Sequence, residues 1–427
     1  MRTLLERRPL LLLASILLAL FAAAYAARGY VIYFGILPVA DFIPGCDALT
    51  HWREEHYVFR GQNPYDVMFA HMPGAAAFQP PAQVLVNRNA MPDPILGIPT
   101  SNVVSPPWAF STMAPVFALP LRWSAPFYAL LMLAGLSAVG VWAYRQGRPW
   151  GLSTAVFLAA AALALGSWCS AIFTGNYPLL IIPLLIGVLC LTEKNRPILA
   201  GLLLGLAVIK PTLGGPFALA LLMHRRFTSL AVAAAWMVAA SLITWWAIAT
   251  NPVEILSQMF AASRGVLSAV NGPARYAIAA GADPVVATKI SGLIAGVLGT
   301  LALFLARRQN LLTLFAIAAV TARFWMYRFV YDESILLFLL VALALAALRS
   351  RSHLATAAFL AVGMSLWMPA RLTDHLAFQL FQQCTWATGV IVLLIWGQGW
   401  EQTSPTLSPP RPATLAPARQ TPPPSQV

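Results

Sequence analysis

The chain has 427 residues, of which 59% are hydrophobic and only 10% charged, with a mean hydropathy of +0.73. A soluble domain of this length could not hide so much apolar surface, so most of its solvent must be lipid. The net charge of +13 comes from 27 Lys and Arg in short clusters between apolar runs, which excludes the continuous basic patch of a nucleic-acid binder and fits membrane topology.

Arg2, Arg7 and Arg8 precede an apolar run from Pro9 to Ala27 that is long enough to span and continues into more apolar chain. This predicts a retained signal-anchor helix with its N-terminus in the cytoplasm. A polar loop follows, from about Asp41 to Ser105, carrying Asp41, Asp47, Glu54, Glu55, Asp66, His51, His56 and His71. Carboxylates and histidines gathered in one loop of an apolar chain point to chemistry, or a cation, on that face. Pro107–Leu121 is apolar and is followed at once by another span, which predicts an interfacial or half-inserted helix.

Beyond it, basic pairs at Arg145/Arg148, Lys194/Arg196, Arg225/Arg226, Arg307/Arg308 and Arg349/Arg351 each close an apolar run, and the positive-inside rule places them all in the cytoplasm. The acidic residues fall mostly in the alternate connections. Between Arg196 and Arg225 both ends are basic, so an even number of passes is required. Two arms of about twelve residues reach only about 18 Å each against a core of ~30 Å. The break is expected at Lys210-Pro211, with Gly214, Gly215 and Pro216, in a short or re-entrant helical pair that carries Lys210 into the membrane or its outer half. Such a lysine is costly unless paired or solvated, which makes it a functional-site candidate.

The remaining apolar stretches complete a set of about twelve: 9–27, 124–144, 151–172, 177–192, 198–209, 212–223, 228–249, 289–306, 311–328, 334–348, 354–370 and 380–398. After Gly399 the chain turns to Pro, Ser, Thr and Gln, a composition that builds no core. Cys46, Cys169, Cys190 and Cys384 show neither CxxC nor metal-ligand spacing. The expected fold is an all-α polytopic membrane protein with about 11–13 transmembrane helices over residues 1–398. Its large first extracytoplasmic loop covers about 40–123, and a disordered proline-rich cytoplasmic tail covers 399–427.

On the outward face the sequence collects Asp41, Asp47, Glu54 and Glu55, then Arg264 and Arg275, then Arg323, Arg328, Asp332 and Glu333, with Lys210 from below. Carboxylates beside cations suit one reaction type. A carboxylate takes a proton from an acceptor hydroxyl while Lys and Arg stabilise a phosphate leaving group as charge builds on it.

The order of motifs narrows this further. Asp47-Ala-Leu-Thr-His51-Trp52 is followed by Gly61-Gln-Asn63-Pro64-Tyr65-Asp66, then Ser105-Pro106-Pro107-Trp108, then Gly175-Asn176. Arg196-Pro-Ile-Leu-Ala200-Gly201-Leu-Leu-Leu-Gly205-Leu-Ala-Val-Ile-Lys210-Pro211 closes the series. Together these resemble glycosyltransferase family 87, the bacterial polyprenyl-phosphate-sugar-dependent mannosyl- and arabinofuranosyltransferases of the GT-C type, over roughly residues 30–230. The chain departs from the family pattern at His51, where an aromatic pair begins, and at Ser105, which replaces a Tyr.

The resemblance implies a GT-C-like bundle in a bacterial inner membrane, and the basic clusters place both termini in the cytoplasm. It implies transfer of a mannose- or arabinofuranose-like sugar from a polyprenyl phosphate to a glycan or glycolipid, with inversion at the anomeric carbon and no nucleotide sugar. Asp47 carries over as the base, with Asp41 as second choice, and Lys210 as a phosphate contact; the outward-face Arg323, Arg328 and Arg275 are expected to join Lys210 there. His51, Trp52, Asn63, Tyr65, Asp66 and Asn176 are expected to meet the acceptor or shape the loop. No cofactor is implied, and without an Asp-x-Asp pair the residues do not demand a metal. A transporter or flippase of a lipid-linked or anionic solute would use the same cations and need no base. A non-catalytic relative that has kept the fold is the third possibility.

Overall fold

The computed structural model describes residues 8–36, 45–71, 105–264, 272–325, 329–369, 372 and 375–396. Among them there is helix and no strand. Asp41, Arg328 and the 399–427 tail lie outside the described residues.

The described α-helices run in the order α1 (Arg8–Tyr33), α2 (Cys46–Phe59), α3 (Pro64–His71), α4 (Pro107–Phe117), α5 (Leu121–Gly147), α6 (Leu152–Leu163), α7 (Ser167–Thr174), α8 (Pro178–Glu193), α9 (Pro197–Ala207), α10 (Pro211–Met223), α11 (Phe227–Ile248), α12 (Pro252–Arg264), α13 (Ala274–Ala279), α14 (Pro284–Leu305), α15 (Leu311–Trp325), α16 (Leu337–Ser350), α17 (His353–Trp367) and α18 (Leu376–Trp396). A 3-10 turn over Val330–Leu336 leads into α16.

Among the described residues, six helical segments are long and apolar enough to cross a membrane: Pro9–Tyr33, Leu121–Trp150, Phe227–Ile248, Pro284–Leu305, Val330–Ser350 and Leu376–Trp396. The pair α6 and α7, bent by 51°, makes a seventh if it is one span. The other five expected stretches are the shorter apolar helices α8, α9, α10, α15 and α17. This is a multi-pass membrane protein. The first expected loop is itself largely helical where it is described, built from α2, α3 and α4.

The burial pattern follows composition. α16, apolar on every side, is buried along its length from Leu337 to Leu348 and forms the centre of the bundle, with α15, α17 and α18 packed round it. On α14, Ile290, Leu293, Ile294, Val297 and Leu298 are exposed in a stripe, as a lipid-facing surface would be.

The break between α9 and α10 is what positions the site. Arg226, just past α10, donates from Nη1 to Asn195 Oδ1 (3.3 Å) just before α9, and Ser229 Oγ donates to the Pro197 carbonyl (3.0 Å). The pair therefore leaves and returns to one end of the bundle, as its two basic ends require. Its arms diverge, α9 along α8 and α11, α10 along α15. Close approach of α9 to α11 depends on Gly201, where a Cβ would stand 2.5 Å from the Ser229 carbonyl oxygen.

Candidate active site

Four polar residues from distant parts of the chain meet at the turn of this pair. Lys210 Nζ donates to Asp332 Oδ1 (2.6 Å) and to Asn176 Oδ1 (3.3 Å), and Asn176 Nδ2 donates to Asp47 Oδ2 (2.7 Å). Asp332 is fully buried and the Lys210 side chain is 14% exposed. The Tyr331 ring lies under the ammonium, 4.7 Å from its centroid.

Local sequence explains why each residue sits where it does. Pro211 opens α10 at its first position, where its missing N–H costs nothing, and holds Lys210 in extended backbone just before it. Pro178 likewise opens α8 at its first position, and the Asn176 carboxamide oxygen accepts the Tyr177 N–H (2.9 Å) at that start. Asp47 lies in the first turn of α2, where the helix dipole favours an anion. Asp332 lies in the 3-10 turn that leads into α16 and also accepts the Phe329 N–H (3.2 Å). All four residues are therefore at helix starts, and α7 and α9 end at the same turns as Asn176 and Lys210.

Gly175 makes the junction possible. Its φ of +70° suits glycine, and a Cβ would come within 2.6 Å of the Ala48 Cβ on α2. The Gly45 N–H, just before α2, donates to the Phe173 carbonyl (2.9 Å), fastening Asp47 to the same turn. Trp108 on α4 donates from Nε1 to the Val208 carbonyl (2.9 Å), tying the α9–α10 break to the loop helices.

A second polar group lies further along α2. The Glu54 carboxylate accepts Ser105 Oγ (2.8 Å) and lies 3.5 Å from His51 Nδ1, and the His51 ring stacks on Tyr177 with centroids 4.0 Å apart. The two departures from the family pattern, His51 and Ser105, thus meet on one carboxylate. Beside it, burial reinforced by the charge of Glu54 pushes the Glu55 carboxyl well above the usual carboxylate range.

The loop-shaping residues act at a distance from this centre. Asn63 Nδ2 donates to Gln258 Oε1 and Gln258 Nε2 to Asp66 Oδ1, both at 2.8 Å, so α12 pins the Asn63–Asp66 turn. Tyr65, fully buried, donates its hydroxyl to the Ser105 carbonyl (2.8 Å). Trp52 donates to the Leu119 carbonyl (2.9 Å) and lines an apolar cavity of about 280 Å³ with Tyr33, Ala48, Phe117, Leu121 and Ala125. The cavity adjoins the turn of α2 that carries Asp47.

Arg323 belongs to a different cluster. It is 2% exposed, donates from Nη2 to Glu333 Oε1 (3.0 Å) and lies over the Trp386 ring at 5.2 Å. Gln382 Nε2 reaches the second Glu333 oxygen at 3.5 Å. Arg275 is half-buried on the short α13, beside Tyr276. In the sequence Asp332 falls on this face with no partner evident; the signal for one is that a lysine inside an apolar bundle needs a counter-charge.

The sequence model of Glycosyltransferase family 87 matches residues 104–329, more than half of the chain. That stretch contains Ser105, Asn176 and Lys210 and extends well past Pro211, the last residue of the motif series. It does not include Asp47 or the Asn63–Asp66 turn. No curated protein and no solved structure matches the chain. The chain belongs to glycosyltransferase family 87 and is a membrane glycosyltransferase.

Proposed function

We propose that the protein transfers a mannose- or arabinofuranose-like sugar from a polyprenyl phosphate to a glycan or glycolipid hydroxyl on the extracytoplasmic face of a bacterial inner membrane, with both termini cytoplasmic. The observation that carries the reading is the linkage of Asp47 to Lys210 through a single carboxamide, which puts a base and a cation within one side chain of each other. Asp47 takes the acceptor's hydroxyl proton as that oxygen attacks the anomeric carbon from the face opposite the phosphate. The carbon–oxygen bond to phosphate breaks with its electron pair, polyprenyl phosphate leaves, and the configuration inverts. The proton passes from Asp47 to the phosphate or to water.

Charge grows on the phosphate during this step, so a fixed cation favours the transition state over the ground state. Lys210 is the proposed first contact, and Arg275 and Arg328 are proposed as further phosphate contacts from their sequence alone. Arg323, sealed against Glu333, acts from behind the site. The apolar cavity next to Asp47 suits the first part of a lipid tail. Membership in a transferase family sets the transporter reading aside.

The test is transfer from radiolabelled polyprenyl-phosphate mannose and polyprenyl-phosphate arabinose by protein in nanodiscs, with a membrane glycolipid extract as acceptor. One donor should support transfer, and Asp47→Asn should abolish it while donor binding persists. Undiminished transfer by Asp47→Asn would overturn the assignment of the base.

A further inference from the structure

The proposed reaction uses Asp47 and Lys210 and leaves Asp332 without a part. Yet Asp332 makes the shortest contact in the site and is the deepest of its four residues. We infer that Asp332 is a positioning residue, which holds the Lys210 ammonium away from Asp47 so that the base keeps an oxygen for the acceptor. The inference rests on the reading of Asp47 as base.

The hydrogen bonds leave little freedom. The Asn176 carboxamide oxygen accepts both Lys210 Nζ and the Tyr177 N–H, so its amino group must be the side that faces Asp47 Oδ2. Asp47 Oδ1 has the Cys46 thiol at 3.8 Å, a weak donor. Oδ1 is therefore the oxygen that meets the incoming hydroxyl.

Lys210 could spoil this arrangement. It stands just before the first turn of α10, where the helix dipole repels a cation, and its four-carbon stem is flexible. Asp332 counters both effects with a contact of 2.6 Å, and its other oxygen is fixed by the Phe329 N–H. The adjacent Glu333 is engaged with Arg323 and is not a substitute. With the charge of Asp332 removed, the nearest carboxylate along the chain of hydrogen bonds is Asp47. A direct Lys210–Asp47 pair would occupy the base and weaken it.

Among the described residues, the other ionisable groups around Asp47 include Cys46 on its own helix, Tyr33 of α1, whose ring packs on Gly45 and Gly175, Tyr128 of α5, whose ring lies within its electrostatic reach, and His51 one turn on. None of them carries a fixed positive charge comparable to Lys210.

The experiment compares Asp332→Asn, Asp332→Glu and the double variant Lys210→Met/Asp332→Met with wild type and Asp47→Asn in the nanodisc transfer assay, with kcat, donor KM and the pH profile measured for each. Asp332→Asn should lower kcat about 10- to 100-fold, raise donor KM as Lys210 leaves the phosphate, and move the acid limb of kcat/KM to lower pH, because an uncompensated Lys210 favours the carboxylate form of Asp47. Asp332→Glu should recover at least about a tenth of wild-type kcat.

Wild-type kcat and an unshifted pH profile in folded Asp332→Asn would overturn the inference. If that variant does not fold, the double variant carries the test, since it leaves no unpaired buried ion and no ammonium to pair with Asp47: kcat falls with the lost phosphate contact while the acid limb of kcat/KM stays at or above its wild-type pH, and an acid limb moved to lower pH overturns the inference. An active Asp47→Asn would sink the base reading instead. An inactive Asp47→Asn beside a normal Asp332→Asn would sink only the present inference.

Discussion

Two neighbouring acids in one 3-10 turn have opposite fates. Asp332 faces Lys210 and, through Asn176, the carboxylate of Asp47, in a group that keeps a partly exposed side chain. Glu333 faces Arg323 under Trp386 and Gln382, and neither partner of that pair is more than 5% exposed. The chemistry of the two pairs is alike. What separates them is access and the presence of a third group: the first pair ends at a candidate base, while the second ends in the packed interior around α18. A buried ion pair is thus a candidate for function when its chain of contacts leads out of the core, and a candidate for scaffold when it closes on itself.

Substitutions can break this contrast from either side. The largest effect is expected at Asp47, where Asn removes the base and should cost about 10³-fold in kcat with donor affinity kept, as read by transfer rate and equilibrium binding. Next is Arg323→Met, which strands Glu333 in the core and should cost about 3–5 kcal/mol of stability by thermal unfolding in detergent. Arg323→Met/Glu333→Met should recover most of that loss. A double variant as unstable as the single would show that the sealed pair does more than balance charge.

Gly175→Ala is expected to lower kcat about 100-fold, because a Cβ pressed against Ala48 must push Asp47 away from Asn176, and small misplacements of reacting groups are costly. Wild-type kcat from folded Gly175→Ala would mean that the α2 junction tolerates displacement. The mildest change is Gln258→Ala. It frees the Asn63–Asp66 turn and should raise acceptor KM about threefold with kcat unchanged, consistent with losing hydrogen bonds that contribute about 1 kcal/mol each.

Much of this was legible along the chain. The apolar stretches, the alternation of basic pairs and the Lys-Pro break forecast the helices and the returning α9–α10 pair, because hydropathy and the positive-inside rule act locally. The Asn63–Asp66 motif forecast a structured turn but gave no hint that α12, almost 200 residues on, would hold it. Likewise, Arg323 and Lys210 look equivalent as cations beside acids in the sequence. Only the packing of α18 against α15 makes one of them a core residue.

The sequence by itself determined a multi-pass helical bundle, its family motifs, and the residue types able to move a proton and hold a phosphate. Composition and period suffice for these, since each helix satisfies its own backbone and each apolar face needs only an apolar solvent. The tertiary structure decided which acid meets which cation. The Asp47–Asn176–Lys210–Asp332 chain joins positions up to 285 residues apart, from Asp47 to Asp332, and its contacts depend on close approach of helix starts at Gly175 and at the Pro211 break. Charge pairing falls off within a few ångströms, and no local pattern encodes a distance of that kind.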